Sequence, residues 1–144
     1  MKTNNNKARI ILVGIMVAGA TLFTYAQELT VTIKNVKNSD GMILMSLYDT
    51  DAGFMKKELK SLQVTILNGE AVAIFKDVAP GTYAISVMHD ANNNKELDSN
   101  VFGIPKEGFG FSNDAMGMFG PPDFKKAPFQ YDGKKGVAIN LKYM

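Results

Sequence analysis

The chain has 144 residues, with 16 Lys and Arg, 14 Asp and Glu, a net charge of +2 and no cysteine. The absence of cysteine excludes disulfide bonds, thiol catalysis and cysteine-ligated metals. Beyond residue 9 there is no arginine, and 13 lysines face 14 acidic residues, so nucleic acid is not an expected partner.

The N-terminal segment has the pattern of a signal peptide. Three cationic residues precede an apolar run of 14 residues over 10–23, and the segment ends on small residues up to Ala26. Such a run is too short to cross a hydrocarbon core of about 30 Å. We therefore expect cleavage of residues 1–26, a periplasmic or secreted protein with no stable membrane insertion, and a single domain over residues 27–144.

The first two predicted strands are residues 29–33 and 41–48. In the first strand apolar residues alternate with threonine, which indicates one buried face. The second strand is apolar on both faces, as expected of an inner strand. Because Ser39-Asp40-Gly41 favours a tight turn, the two strands are predicted to form a hairpin.

A helical turn and a second hairpin are predicted next. Residues 51–61 are expected to make one or two helical turns, with three side chains facing inward: Phe54, Met55 and Leu59. Residues 62–67 and 71–75 flank Asn68-Gly69, a strong signal for a two-residue type I′ turn. That turn predicts three cross-strand pairs with all six side chains on one face: Ile66 with Ala71, Val64 with Ala73, and Leu62 with Phe75.

Two further strands complete the predicted sheets. Residues 83–87 alternate after a turn at residues 77–81 that contains Pro and Gly, and residues 137–143 form the last alternating segment. Six short strands with closely spaced turns predict an all-β, antiparallel sandwich.

A long segment at about residues 90–135 has little regular pattern. Loops of this length inside a compact domain are uncommon and are usually functional. This one is too aromatic for a disordered linker, so we expect an ordered loop that folds over one end or face of the sandwich. Its aromatic side chains are interpreted either as core plugs or as a ligand surface: Phe102, Phe109, Phe111, Phe119, Phe124, Phe129 and Tyr131.

The start of this loop has the spacing of a calcium-binding loop. Ca²⁺ prefers six to eight oxygen ligands, which alternate residues of a tight loop supply. The usual Gly at the sixth position is Lys95 here, and Val101 replaces the closing Glu, so Glu107, Asp49 or Asp51 would have to complete the site. The alternative is an Asn/Asp-rich turn that bonds its own backbone. The candidate ligands are Asp90, Asn92, Asn94, Glu96 and Asp98.

Three motifs together make the chain similar to a known family. They are residues 89–98 (HDANNNKELD), 102–113 (FGIPKEGFGFSN) and 120–124 (GPPDF). With them the chain resembles the bacterial domain of unknown function 2141 family over essentially all of residues 27–144. The resemblance implies a small exported sandwich, related to immunoglobulin-like or prealbumin-like domains, and implies no particular activity. The family pattern has Gly at the position of Lys95.

Other candidate chemical groups are few. His89 is the only histidine, which excludes multi-histidine zinc sites, and it is interpreted as a strand-end residue bonding loop backbone. Met116 and Met118 are interpreted as soft Cu(I) ligands or as fillers of core gaps. Asp49 and Asp51 are either paired catalytic carboxylates or a solvated strand end. No nucleophile is matched with a base, so an enzyme is not expected.

The sequence thus predicts an exported immunoglobulin-like or prealbumin-like β-sandwich that acts as a binding or structural module. The partner is expected to be a protein or a small ligand, and a loop-organising Ca²⁺ is the only cofactor predicted. A second hypothesis is a protein that binds small ligands or glycans through the Phe-rich loop. That hypothesis predicts a concave pocket lined by Tyr or Phe with a few polar groups.

Overall fold

Eight β-strands in two sheets form the framework of residues 27–144, the part of the chain that the structure, a computed structural model, describes. The predicted signal peptide, residues 1–26, lies outside the described residues. Between residues 27 and 144, no helix has the length and apolar character needed to cross a bilayer. The strands are β1 (Glu28–Lys34), β2 (Met42–Tyr48), β3 (Lys60–Val64), β4 (Ala71–Lys76), β5 (Gly81–Asp90), β6 (Phe109–Phe111), β7 (Phe129–Tyr131) and β8 (Val137–Asn140).

The two sheets confirm the predicted all-β sandwich. The first sheet has the order β4-β1-β8 and the second has the order β3-β2-β5-β6, with β7 paired to the first residues of β5. One pair departs from the predicted antiparallel arrangement, because β8 runs parallel to β1. A parallel neighbour needs a crossover instead of a hairpin, and β8 reaches β1 only after the chain has built the whole second sheet.

The inner faces of the two sheets bury one core. In β1 the apolar side chains Leu29, Val31 and Ile33 are fully buried, while the threonines between them point outward. A fully buried side chain of this size contributes about 1.5–3 kcal/mol to stability. The second sheet supplies the facing layer, which includes Ile43, Met45, Leu47, Ile85 and Val87.

The prediction of a hairpin between the first two strands was wrong. β1 pairs with β4 and β8 in the first sheet, whereas β2 pairs with β3 and β5 in the second. After β1 the backbone turns at Asn35, which has a φ of 61°, and the next residue, Val36, is buried in the core. The predicted turn at residues 39–41 therefore joins the two sheets and not two neighbouring strands.

The second predicted hairpin was right in its turn and wrong in its strand pairing. Asn68 and Gly69 both have positive φ, as a type I′ turn requires, and the flanking Leu67 and Glu70 exchange both backbone hydrogen bonds. Beyond that single bridge the strands separate, because β3 pairs with β2 and β4 pairs with β1. The six side chains predicted to share one face still point into the core, but from opposite sheets.

Residues 51–56 form hydrogen-bonded turns instead of the helical turns predicted over residues 51–61. Met55 has a φ of 57°, a left-handed conformation that ends any α-helix. Phe54 is buried as predicted, whereas Met55 and Leu59 are exposed, which corrects the predicted inward face.

The long loop folds onto the outer face of the second sheet, as expected, and contains β6, β7 and two short 3-10 turns, Ser112–Asp114 and Phe124–Lys126. There it builds a second, smaller core around Phe54, whose ring lies 5.2 Å from that of Tyr48 and 5.5 Å from that of Phe124. The buried members of this second core are Tyr48, Phe54, Ala84, Phe111, Ala115 and Ala127.

Two buried tyrosines of the main core differ in their hydrogen bonding, so their substitution by phenylalanine is expected to change stability in opposite directions. Of the described side chains, only Tyr131 has a buried polar atom without a hydrogen-bond partner, its hydroxyl oxygen, whereas the Tyr83 hydroxyl donates to the Ala79 carbonyl at 2.9 Å. We expect Tyr131→Phe to raise the free energy of unfolding by about 1 kcal/mol and Tyr83→Phe to lower it by about 1 kcal/mol. Urea denaturation measures both values, and a loss of stability in Tyr131→Phe would contradict the prediction.

Candidate functional site

The loop that follows β5 is held by a buried carboxylate. Asp90 is 0% exposed, and its two oxygens accept the backbone N–H groups of Asn94 at 3.1 Å and Lys95 at 2.9 Å. Lys95 and Asn93 have positive φ, 65° and 60°. The tight turn that a calcium-type loop needs at its sixth position is therefore present with Lys95 in place of glycine, at a cost on the order of 1 kcal/mol.

Of the remaining predicted ligands, Asn92, Asn94 and Asp98 meet through their side chains in the same turn, whereas Glu96 takes part only through its backbone N–H. Asn92 and Asn94 accept the N–H groups of Asn94 and Glu96 through their side-chain oxygens, at 3.1 and 2.8 Å. Their amide nitrogens both donate to one carboxylate oxygen of Asp98, at 2.6 and 3.1 Å. In the part of the chain that is described, no group of three or more His, Asp or Glu side chains has the arrangement of a metal site. Calcium binding at this loop stays a prediction.

Of the three acids considered for completing the loop, the structure places Glu107 against it. The Glu107 carboxylate accepts the N–H of Ala91 at 2.9 Å and that of Asp98 at 3.0 Å, and so joins the two ends of the loop. Asp49 and Asp51 are exposed at the end of β2. Asp90 and Glu107 together fix the position of the loop from inside the protein.

His89 takes part in a buried network and, as interpreted from the sequence, bonds loop backbone. Its Nε2 lies 2.8 Å from the carbonyl oxygen of Asp40, which can only accept, so Nε2 carries the proton. Its Nδ1 then accepts from the Tyr143 hydroxyl at 2.8 Å, and that hydroxyl accepts the N–H of Lys37. Burial raises the pKa of Tyr143, which keeps the donating phenol neutral.

A cleft of about 690 Å³ lies on the outer face of the second sheet, beside the second core, and shares Tyr48 and Phe111 with it. Its floor is formed by outward-facing side chains of β2, β5 and β6. One wall is the segment from Lys95 to Pro105 and the other is the segment from Met116 to Pro121. Floor residues include Leu44, Ser46, Tyr48, Ser86, Met88, Phe109 and Phe111.

The cleft is lined mainly by apolar side chains, and a small cluster of hydroxyl groups lies on its floor. The Tyr48 hydroxyl lies 3.4 Å from Ser86 Oγ, and Ser46 stands beside them on the same face. Among the described residues that line the cleft, none carries a carboxylate or an amide side chain. Within the Phe-rich loop, Phe111 packs in the second core, in agreement with the interpretation as core plugs, while Phe102 and Phe119 line the cleft, where the interpretation as a ligand surface stays a prediction.

Methionines are the feature of the cleft that the sequence did not reveal. Five of them line it, and they come from four segments of the chain: Met55, Met88, Met116 with Met118, and Met144. Met116 and Met118 do not fill a core gap, and His89 is bonded on the inner side of the sheet, away from them. Flexible, polarisable thioether side chains adapt to ligands of different shape.

The chain resembles known proteins at the level of a protein family. A search of curated proteins and a search of solved structures each found no significant match. One family model does match, that of an uncharacterized protein conserved in bacteria (DUF2141), and the match runs over residues 31–139. This range extends from within β1 to within β8 and includes the Asp90 loop and both walls of the cleft. The chain belongs to the DUF2141 family.

Proposed function

We propose that the protein is an exported binding module that takes a small, mainly apolar ligand into the cleft on its second sheet. The observation that supports this proposal is the cleft itself, whose volume of about 690 Å³ falls among those of small-molecule sites, roughly 300–1,000 Å³. Export is supported by the signal-peptide pattern of residues 1–26.

The lining of the cleft favours an apolar ligand over a glycan. Sugar recognition uses planar amide and carboxylate side chains to pair several hydroxyl groups, and the described lining has neither. Leu44, Met88 and Phe109 offer apolar surface, while the hydroxyl groups of Tyr48 and Ser86 can bond one polar group of the ligand. The expected ligand therefore has an apolar body and one hydroxyl, carbonyl or similar group.

A bulky side chain on the cleft floor tests this proposal. Ser46 is half-buried and faces outward in the middle of β2, so Ser46→Phe would fill the cleft without entering the core. Thr32→Phe is the matched control, because Thr32 is a half-buried, outward-facing residue in the middle of β1 in the other sheet. Binding is measured by titrating an anilinonaphthalene sulfonate dye, whose fluorescence rises in apolar surroundings.

We expect Ser46→Phe to weaken dye binding by roughly tenfold or more, since filling the cleft removes the apolar contacts of the dye. Thr32→Phe should bind as the unmodified protein does. Equal binding by all three proteins, each with a cooperative melting curve, would contradict the proposal.

Calcium is the second part of the proposal, with the role of organising one wall of the cleft. Lys95 and Leu97 belong to the Asp90 loop and also line the cleft, so an ion bound by the loop would fix that wall. The left-handed conformation of Lys95 supports this role, because it gives the loop the turn that calcium-type loops require. The ion would act by stabilising the loop and would take no part in chemistry.

A further inference from the structure

Two chain segments at the cleft carry an unusual concentration of exposed apolar side chains. We name them the loop tips: residues 101–105 and 116–121. Among the described residues, the four most exposed large apolar side chains all lie in these tips. They are Phe119 at 99%, Val101 at 94%, Met118 at 87% and Phe102 at 83% exposed. Side chains this exposed touch almost no protein atoms, and soluble proteins rarely leave several of them together without a partner.

The backbone of the first tip is prepared for an apolar environment. Asn100 accepts the N–H groups of Phe102 and Ile104 through its side-chain oxygen, at 2.9 and 3.0 Å, and that of Gly103 through its carbonyl oxygen at 2.9 Å. Three successive N–H groups of the tip thus have internal partners. A segment that leaves water for hydrocarbon needs such internal bonds, because each unpaired group costs several kcal/mol there.

The composition of the tips favours lipid over a protein partner. Residues 101–105 (VFGIP) and 116–121 (MGMFGP) contain no side chain that donates or accepts a strong hydrogen bond. Protein–protein interfaces form about one hydrogen bond per 100–200 Å², for which these tips offer no side-chain groups. Insertion into a bilayer is favoured by the absence of such groups, because an unpaired polar side chain costs free energy in hydrocarbon.

The charges around the tips are nearly balanced. Five acidic residues lie near the tips in sequence: Glu96, Asp98, Glu107, Asp114 and Asp123. Four lysines also lie near them: Lys95, Lys106, Lys125 and Lys126. Because this balance gives no net attraction to an anionic surface, the apolar side chains of the tips have to supply the free energy of docking.

We propose that the two loop tips insert into the surface layer of a lipid bilayer and dock the protein there reversibly, with the cleft opening toward the lipid. Both tips belong to the walls of the same cleft, so one docking geometry places both of them in contact with the bilayer. The proposal deepens the proposed function by naming the surface from which the cleft would take an apolar ligand. The docking itself does not depend on ligand binding.

Co-sedimentation with vesicles of phosphatidylethanolamine and phosphatidylglycerol tests the docking. We expect the unmodified protein to sediment with the vesicles, and the double variant Phe102→Ser, Phe119→Ser to bind roughly 100-fold more weakly, because two aromatic anchors are lost. The control variant Leu67→Ser, Val72→Ser removes two exposed apolar side chains elsewhere and should bind as the unmodified protein does. All variants share the same N-terminal segment, so differences among them report the tips.

Three outcomes would overturn the docking proposal. They are an unmodified protein that stays in the supernatant, a tip variant that sediments as well as the unmodified protein, and a lipid-free dimer that the tip substitutions dissociate in analytical ultracentrifugation. The last result would assign the tips to a contact between copies. Ser46→Phe separates the two proposals, because it fills the cleft without touching the tips and should therefore lose the dye while it still binds vesicles as the unmodified protein does.

Discussion

Gly41→Ala is expected to lower the free energy of unfolding by about 3 kcal/mol or more. Gly41 precedes β2 with a φ of +65°, and a Cβ at this position would lie 1.9 Å from the carbonyl oxygen of Asp90 and 2.7 Å from Cα of Ala91. Both of these are backbone atoms, which cannot move aside as a side chain would. The substitution therefore forces apart the end of the β2–β5 pair, where the Asp90 loop begins.

Gly103→Ala is the control for this prediction. Gly103 also has a positive φ, +76°, but a Cβ there would meet no atom within 4 Å. It should cost only the left-handed conformation, about 1 kcal/mol. Urea denaturation compares the two variants. If both variants lose the same stability, the close approach of backbone atoms to Gly41 makes no contribution to the effect of the substitution, and the prediction is wrong.

Asp90→Ala is expected to lower the free energy of unfolding by about 2–4 kcal/mol, in EDTA as well as in calcium. The fully buried carboxylate holds the N–H groups of Asn94 and Lys95, and hydrogen bonds to a charged group contribute about 1.5–3 kcal/mol each. These bonds exist whether or not an ion is bound. Thermal unfolding in EDTA measures this structural contribution alone.

The calcium-dependent part is measured by repeating the melts in millimolar calcium. Calcium at about tenfold excess over an affinity of roughly 10⁻⁴–10⁻³ M should stabilise the protein by about 1.4 kcal/mol, or about 5 °C in Tm. Asp98→Asn should abolish this increase while melting normally in EDTA, since it keeps the shape of Asp98 and removes its charge. If the melting curves of the unmodified protein in EDTA and in calcium coincide, the loop is an Asn/Asp-rich turn that does not bind calcium.

The fold was predictable to the extent that local patterns specify it. Alternation identifies which side of a strand is buried, and turn chemistry identified the type I′ turn at Asn68-Gly69. Neither signal tells which sheet a strand joins, because in a sandwich the inner faces of both sheets are buried. The local patterns therefore predict a hairpin of β1 with β2 and another of β3 with β4, although each pair divides between the sheets.

The candidate site, like the fold, is predictable only where it depends on residues that are close in sequence. The turn from Asp90 to Asp98 follows from residues close in sequence, and the spacing of their oxygen atoms predicts it, whereas Glu107 is only one of three acids that the sequence offers to complete it. The cleft depends on segments brought together only by the fold. Its five methionines come from four separate places, of which only the Met116-Gly-Met118 pair forms a motif that the sequence can show.

The pairing of the first strand with the last has a consequence for how the chain folds. β8 completes the first sheet beside β1, and nearby the backbone of Lys37 bonds the hydroxyl of Tyr143, 106 positions further along the chain. Contacts between such distant residues slow folding, because a large loop must close before they form. A chain that threads through a membrane pore from its N-terminus would therefore lack its closing strand until almost all of it had passed. If the protein is exported as we propose, this topology delays folding on the side from which the chain departs, and the final step takes place on the side where it arrives.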